Sequence, residues 1–470
     1  MKTNFYTHVC AAAFSTLALG LSTASAAVSV APSSSLSLSA SNGSNTASLS
    51  ISNSGDQVWI IQTSSNLVSW TELESWKVHN GSYHRSLTNG TAKPSLFYRA
   101  FYDATRQSIF STTTNALLLP TTSFNYAAPV LPASFLVQPI LGQDNTPANN
   151  LTTDAGATLG RVLFYDKRLS TNQTVSCSSC HQRKHGFSDP RPFSVGFDGG
   201  LTGRNSMGLS NARWYQRRHF FWDERANTLE DQVLMPIQNA VEMGMTLEAL
   251  TNRLGAEPFY TNLFAVTFGS PGITTNRISR ALAQFVRSIV STSSRYDMAV
   301  SNNFTSLTAQ ENLGRQIFLG QVSGPNSPPA TCAACHGTDN FVPGPGLNNN
   351  GLEFPFVDKG VGAITGLATD DGKFKVPSLR NIELTAPYMH DGRFTNLEQV
   401  VEFYTSGVVD NPNLSPPLRV PTPPGQPPGP VLRLNLTAAQ KAALVAFLKT
   451  LTDTSVTTSA KFSDPFNYGD

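Results

Sequence analysis

The chain has little charge, little cysteine and no long apolar run outside its first residues, and each shortage removes a class of protein. Asp, Glu, Lys and Arg make up 14% of its 470 residues and leave a net charge of only +2. Nothing in that balance points to nucleic acid or to an anionic membrane surface. No later stretch reaches the roughly 20 apolar residues that a spanning helix needs, so no transmembrane segment is expected. There are five cysteines. Cys10 stands near the N-terminus and the other four fall in two short motifs, which leaves none for a structural disulfide.

Those motifs are Cys177-Ser178-Ser179-Cys180-His181 and Cys332-Ala333-Ala334-Cys335-His336. In C-x-x-C-H the two thiols add across the vinyl groups of one haem, and the His offers a ring nitrogen to its iron. A thioredoxin-like pair, a disulfide or half of a zinc site would also use C-x-x-C. None of them requires a His directly after the second Cys, and here it stands there twice. Two covalently bound haem c groups are therefore expected, with Cys177, Cys180, His181, Cys332, Cys335 and His336 as the binding residues.

Lys2, the apolar run Val9 to Leu21 and the small residues Ala24-Ser25-Ala26 read as an export signal over residues 1–26. A periplasmic or secreted location follows. Residues 27–118 are rich in Ser, Thr and Asn, with strand-like runs such as Val58 to Ile61 and Leu96 to Tyr102, separated by turn signals at Asn80-Gly81 and Asn89-Gly90. This predicts a small all-β, sandwich-like module with a spacer or structural role. The proline-rich stretch 119–150 reads as a linker.

From 151 onward the pattern is helical. Asp154 to Phe164 sets Leu159, Val162 and Leu163 on one side and leads into the first motif; Leu307 to Leu319 leads likewise into the second. A Gly-rich loop runs from Val195 to Gly208, Asn227-Thr228 begins a helix that Pro236 should stop, and Arg277 to Val290 has an amphipathic stripe. Asn396 caps a segment with Leu397, Val400, Val401 and Tyr404 on one face, and Thr437 to Gln440 is a capping box. The fold class is mainly α: two cytochrome c-like domains, 151–300 and 301–455, with a tail at 456–470.

Between residues 140 and 455 the ordered motifs Leu159 to Asp166, Gly203-Arg204-Asn205, Phe221 to Ala226, Pro236 to Asn239 with Val241-Glu242-Met243, and Leu384 to Gly392, together with both haem motifs, resemble the bacterial dihaem cytochrome c peroxidases and their MauG-type relatives. The resemblance implies that His181 ligates the peroxidatic iron and His336 the electron-transferring one. It also implies that Trp222 lies between the haems and that Glu242 and Gln232 form the catalytic pair above the first. Asn205, Thr385 and Pro387 match positions that hold a Ca2+. A carboxylate can take a proton from bound peroxide and return it to the leaving oxygen, whereas an amide can only orient.

Two positions depart from the activation-dependent peroxidases. Phe197 stands where a second His closes the first iron, and Tyr404 where a Met ligates the second. Both departures point toward the MauG type. Tyr404 is thus a candidate iron ligand, with core packing and ligation by Met389 as the plainer alternative. Ala330 stands where MauG-type enzymes carry the Trp that serves as outlet to a protein substrate, so methylamine dehydrogenase maturation is not supported. The expected activity is reduction of hydrogen peroxide with electrons from a small donor protein, a cytochrome c or cupredoxin. The alternatives are oxidation of a side chain of a protein substrate and a non-catalytic dihaem electron-transfer cytochrome.

Overall fold

A computed structural model describes residues 116–467, apart from 330–331 and 343–346, and, before them, the backbone of eight strands and the Val68-Ser69 bend. The chain divides into two compact units, residues 1–124 with 466–470, and residues 125–465. In the first, β1 (Leu17–Leu19), β2 (Ala26–Ala31), β3 (Ser34–Ala40), β4 (Thr46–Asn53), β5 (Gln57–Ser64), β6 (Thr71–Val78), β7 (Gly81–Thr88) and β8 (Phe97–Tyr102) form two four-stranded sheets. Their orders are β1-β8-β5-β6 and β2-β3-β4-β7, and every pairing is antiparallel. β6 and β7, consecutive in the chain, belong to different sheets. The export signal expected over 1–26 lies outside the described residues, apart from the backbone of β1 and of Ala26.

The second unit is helical. Its principal helices are α1 (Asp154–Tyr165), α2 (Cys177–Cys180), α3 (Leu229–Gln232), α4 (Thr275–Arg287), α5 (Ala309–Phe318), α6 (Cys332–Cys335), α7 (Leu397–Glu402) and α8 (Ala438–Lys449). Thr153 caps α1 by accepting the Gly156 N–H, and Leu159, Val162 and Leu163 are fully buried. Burial of each such side chain stabilises the fold by about 1.5–3 kcal/mol. Side-chain capping boxes open α5 at Thr308/Glu311 and α8 at Thr437/Gln440, each satisfying two otherwise unpaired backbone donors.

One packing device occurs twice. α1 crosses α4 at Gly160, where a Cβ would stand 2.0 Å from the Ala281 carbonyl oxygen and 2.8 Å from the Phe285 Cβ. α5 crosses α8 at Gly314, where a Cβ would stand 2.0 Å from the Ala443 carbonyl oxygen and 2.8 Å from the Phe447 Cβ. Only glycine permits backbones to approach this closely.

Three expectations need correction. The stretch 119–150 is not a free linker over its later part. Phe135 and Ile140 are buried against Trp214, while Asn145 and Asn150 hydrogen-bond to Ala212 and Glu230. Proline density does not prevent short helical turns, and those at Ala133–Leu136 and Ile140–Gln143 carry the anchors Phe135 and Ile140. Nor is 456–465 a free tail. It returns to the first motif's half, where Arg161 Nη1 donates to the Ala460 carbonyl at 2.8 Å, Tyr165 Oη donates to the Phe462 carbonyl at 2.7 Å, and Phe462 is 1% exposed. This exchange helps make the two halves one compact unit. Finally, α3 ends at Gln232 and Pro236 sits in the first turn of the next helical segment, Met235–Gln238, where its missing N–H costs nothing.

Candidate active site

The first motif is the single turn α2, set by the Ser179 hydroxyl accepting the Ser176 N–H at 3.0 Å. The His181 N–H closes on the Cys177 carbonyl at 2.9 Å, and the ring then leaves the helix. His181 Nδ1–H donates to the Phe187 carbonyl at 2.9 Å, from a Phe187 held at φ 61°. That bond fixes the tautomer and leaves Nε2 as the lone-pair donor that iron requires. Burial holds the imidazole below its ordinary pKa, so it is neutral and ready to ligate.

The cavity that His181 lines also contains Asn205, Tyr215, Trp222, Gln232 and Glu242. Gln232 ends α3. Glu242 sits in a turn whose N–H groups at Val241 and Glu242 are received by Asn239 Oδ1 at 2.8 and 3.2 Å. Burial pushes the Glu242 carboxyl above the usual glutamate value, with the Arg225 charge opposing. A carboxyl so shifted exchanges protons nearer neutrality, as acid–base work demands. Phe197 stands outside the cavity wall, with its N–H on the Glu242 carbonyl at 3.0 Å and its ring against Gly244.

The second motif repeats the construction. The His336 N–H closes on the Cys332 carbonyl at 2.8 Å, and Nδ1–H donates to the carbonyl of Phe341, itself at φ 54°, at a longer 3.4 Å. Burial pulls the His336 pKa down to about 4. Burial also pushes Cys177 and Cys332 up to about 12, so the free thiols are protonated. This cavity is lined by Leu397, Val400, Val401 and Tyr404 of the expected stripe, and by Met389. α7 ends at Glu402 and a π turn over Phe403–Gly407 carries Tyr404. Such turns recur at functional sites. Asn350 Nδ2 reaches both candidate ligands, 3.3 Å from the Tyr404 hydroxyl and 3.5 Å from the Met389 sulfur. Met389 adopts φ 74°, a strained setting for a side chain with a Cβ. Burial pushes the Tyr404 hydroxyl up to about 12, against the Asn350 bond.

Trp222 lines both cavities, and its Nε1–H donates to the Asn205 carbonyl at 2.8 Å. The residues therefore fit two haems: two thiols per site, a neutral oriented imidazole in each, and an indole in the shared wall. Among the described residues no group of three or more His, Cys, Asp or Glu could hold a metal ion. Asn205 Nδ2 is committed to the Arg191 carbonyl at 3.0 Å, leaving Oδ1 as its available oxygen. Thr385 lies against Gly186 and Gly208, where a Cβ would meet its methyl at 3.0 and 3.1 Å. Ala330 falls outside the described residues. Sequence reading missed Asn350 and Lys375, because an Asn inside an Asn run and a single Lys carry no spacing signal.

Residues 154–305 match the family described as di-haem cytochrome c peroxidase. The chain is 34% identical over 306 residues to the methylamine utilization protein MauG of Methylorubrum extorquens, covering 65% of this chain and 80% of that one. It is 36% identical over 280 residues to the cytochrome c551 peroxidase of Nitrosomonas europaea, covering 59% and 78%. The crystal structure of a MauG-like protein associated with microbial copper homeostasis superposes with a TM-score of 0.60 at 34% identity, over 73% of this chain and 99% of that one. The chain belongs to the dihaem cytochrome c peroxidase and MauG family, and membership implies an oxidoreductase with two c-type haems. No helix among the described residues is long and apolar enough to cross a membrane.

Proposed function

We propose that the protein is a periplasmic or secreted dihaem peroxidase that reduces H2O2 to water with two electrons and two protons, the electrons coming from a small cytochrome c or cupredoxin. The observation that carries this reading is the meeting of Glu242, Gln232 and His181 in one cavity whose wall includes Trp222, shared with the second cavity. When bound, the haems supply iron-centred redox chemistry. Glu242 takes a proton from one peroxide oxygen and returns it to the other as the O–O bond breaks, Gln232 orients the peroxide, and Trp222 conducts charge between the cavities. His181 and His336 would hold the irons through their ring nitrogens, and Tyr404 would serve as a further ligand at the His336 site. Asn205 with the backbone oxygens of Thr385 and Pro387 would hold Ca2+, and the β module has a spacer or structural role. A second reading, oxidation of a protein side chain, draws support from Tyr404 and Phe197, where the activation-dependent peroxidases carry Met and His.

The test is peroxide consumption by the purified two-haem protein with reduced cytochrome c or cupredoxin. Turnover with a reduced donor supports the reading. No peroxide loss with any donor, in a protein whose haems still exchange electrons with those donors, makes it an electron-transfer cytochrome instead.

A further inference from the structure

Lys375 is 9% exposed and lines both cavities. Its backbone N–H donates to the Trp222 carbonyl at 2.8 Å, which ties it to the indole shared by the two sites. Its ammonium has a thioether and an aromatic face for company: Nζ lies 3.6 Å from the Met207 sulfur and 4.1 Å from the centre of the Tyr215 ring. Glu224 is the carboxylate that acts on it through space, but that group already accepts from the Tyr215 hydroxyl and from Arg217 Nε at 2.7 and 2.9 Å. Glu224 is thus shared with Arg217, and the hydrogen-bond partner of the Lys375 ammonium is the Met207 sulfur, not a carboxylate. A buried ammonium without a counter-ion is costly, and such charges in folded proteins have partners.

We infer that Lys375 is the positive charge shared by the two haem sites, a positioning residue that pairs with haem propionate carboxylates and raises the reduction potentials of both haems. The inference rests on the two-haem reading. Burial brings the Lys375 amine down to about 8, so at neutral pH most of it still carries its charge in the shared wall. A fixed cation favours whichever iron state carries less positive charge, the reduced one, and in a low-dielectric wall it acts on both sides.

The test is spectroelectrochemistry of the holoprotein with Lys375→Met, Lys375→Gln and Lys375→Arg, after mass analysis of haem content. Both neutral variants should lower each haem's potential by a tenfold or larger change in the reduction equilibrium, ~59 mV for one electron. Lys375→Arg should stay close to the parent. Two haems with unmoved potentials in the neutral variants overturn the inference, and so does a shift confined to one haem. A parent lacking two haems overturns the reading and the inference with it. Because either neutral variant suffices, misfolding of one leaves the other to decide.

Discussion

The two haem-motif halves share a frame and differ in what they set before the iron. Each half has a helix leading into its motif, a glycine crossing at which a Cβ would stand 2.0 Å from a carbonyl oxygen, and a His whose Nδ1 is held by the carbonyl of a left-handed Phe. The differences lie in the loops and turns that complete each cavity. The first receives Gln232 and Glu242, one able to orient and one able to titrate; the second receives Met389 and Tyr404, both potential ligands. One frame can thus support unlike chemistry, because helix packing sets the proximal side and connecting segments set the distal side.

The largest effect that would test the shared frame is at its crossings. Gly160→Ala and Gly314→Ala should each cost about 3 kcal/mol, since a backbone oxygen must move to admit the methyl. Denaturant midpoints measured on both variants would check this. A large loss at one glycine and none at the other would break the equivalence of the halves.

The next concerns what is particular to the first half. Glu242→Gln should keep both haems and slow peroxide turnover by about 10²-fold. Because burial raises this carboxyl, its charged form is lost as pH falls through a value above the ordinary glutamate range. The parent's rate should therefore fall on that acid side, and the variant's should not. Parental turnover in the variant would remove Glu242 from the chemistry.

A smaller, spectroscopic effect belongs to the second half. A phenolate stabilises ferric iron more than a thioether does. Tyr404→Phe should therefore raise the second haem's potential and change its spectrum while peroxide binding at the first persists. Unchanged second-haem properties would return Tyr404 to the apolar cluster that it shares with Phe403 and Leu414, and make Met389 the ligand.

The sequence alone pointed to two haem sites, because C-x-x-C-H is a local motif whose five residues are contiguous. It determined the main helices too, since Leu159, Val162 and Leu163 at helical spacing and the caps at Thr153, Thr308 and Thr437 act within one or two turns of the chain. The tertiary structure decided what depends on distant segments meeting. Residues 456–465 carry no periodic pattern, yet Phe462 is buried against the first half. Asn350 gained its place only when the loop at 350 met Met389 and the π turn at Tyr404, 39 and 54 residues away. Lys375, the second lysine of Lys373-Phe374-Lys375, acquired meaning when folding set it beside Trp222 in the wall of both cavities. Spacing along a chain encodes neighbours within a few turns, whereas a shared wall is made by packing, and no local pattern records it.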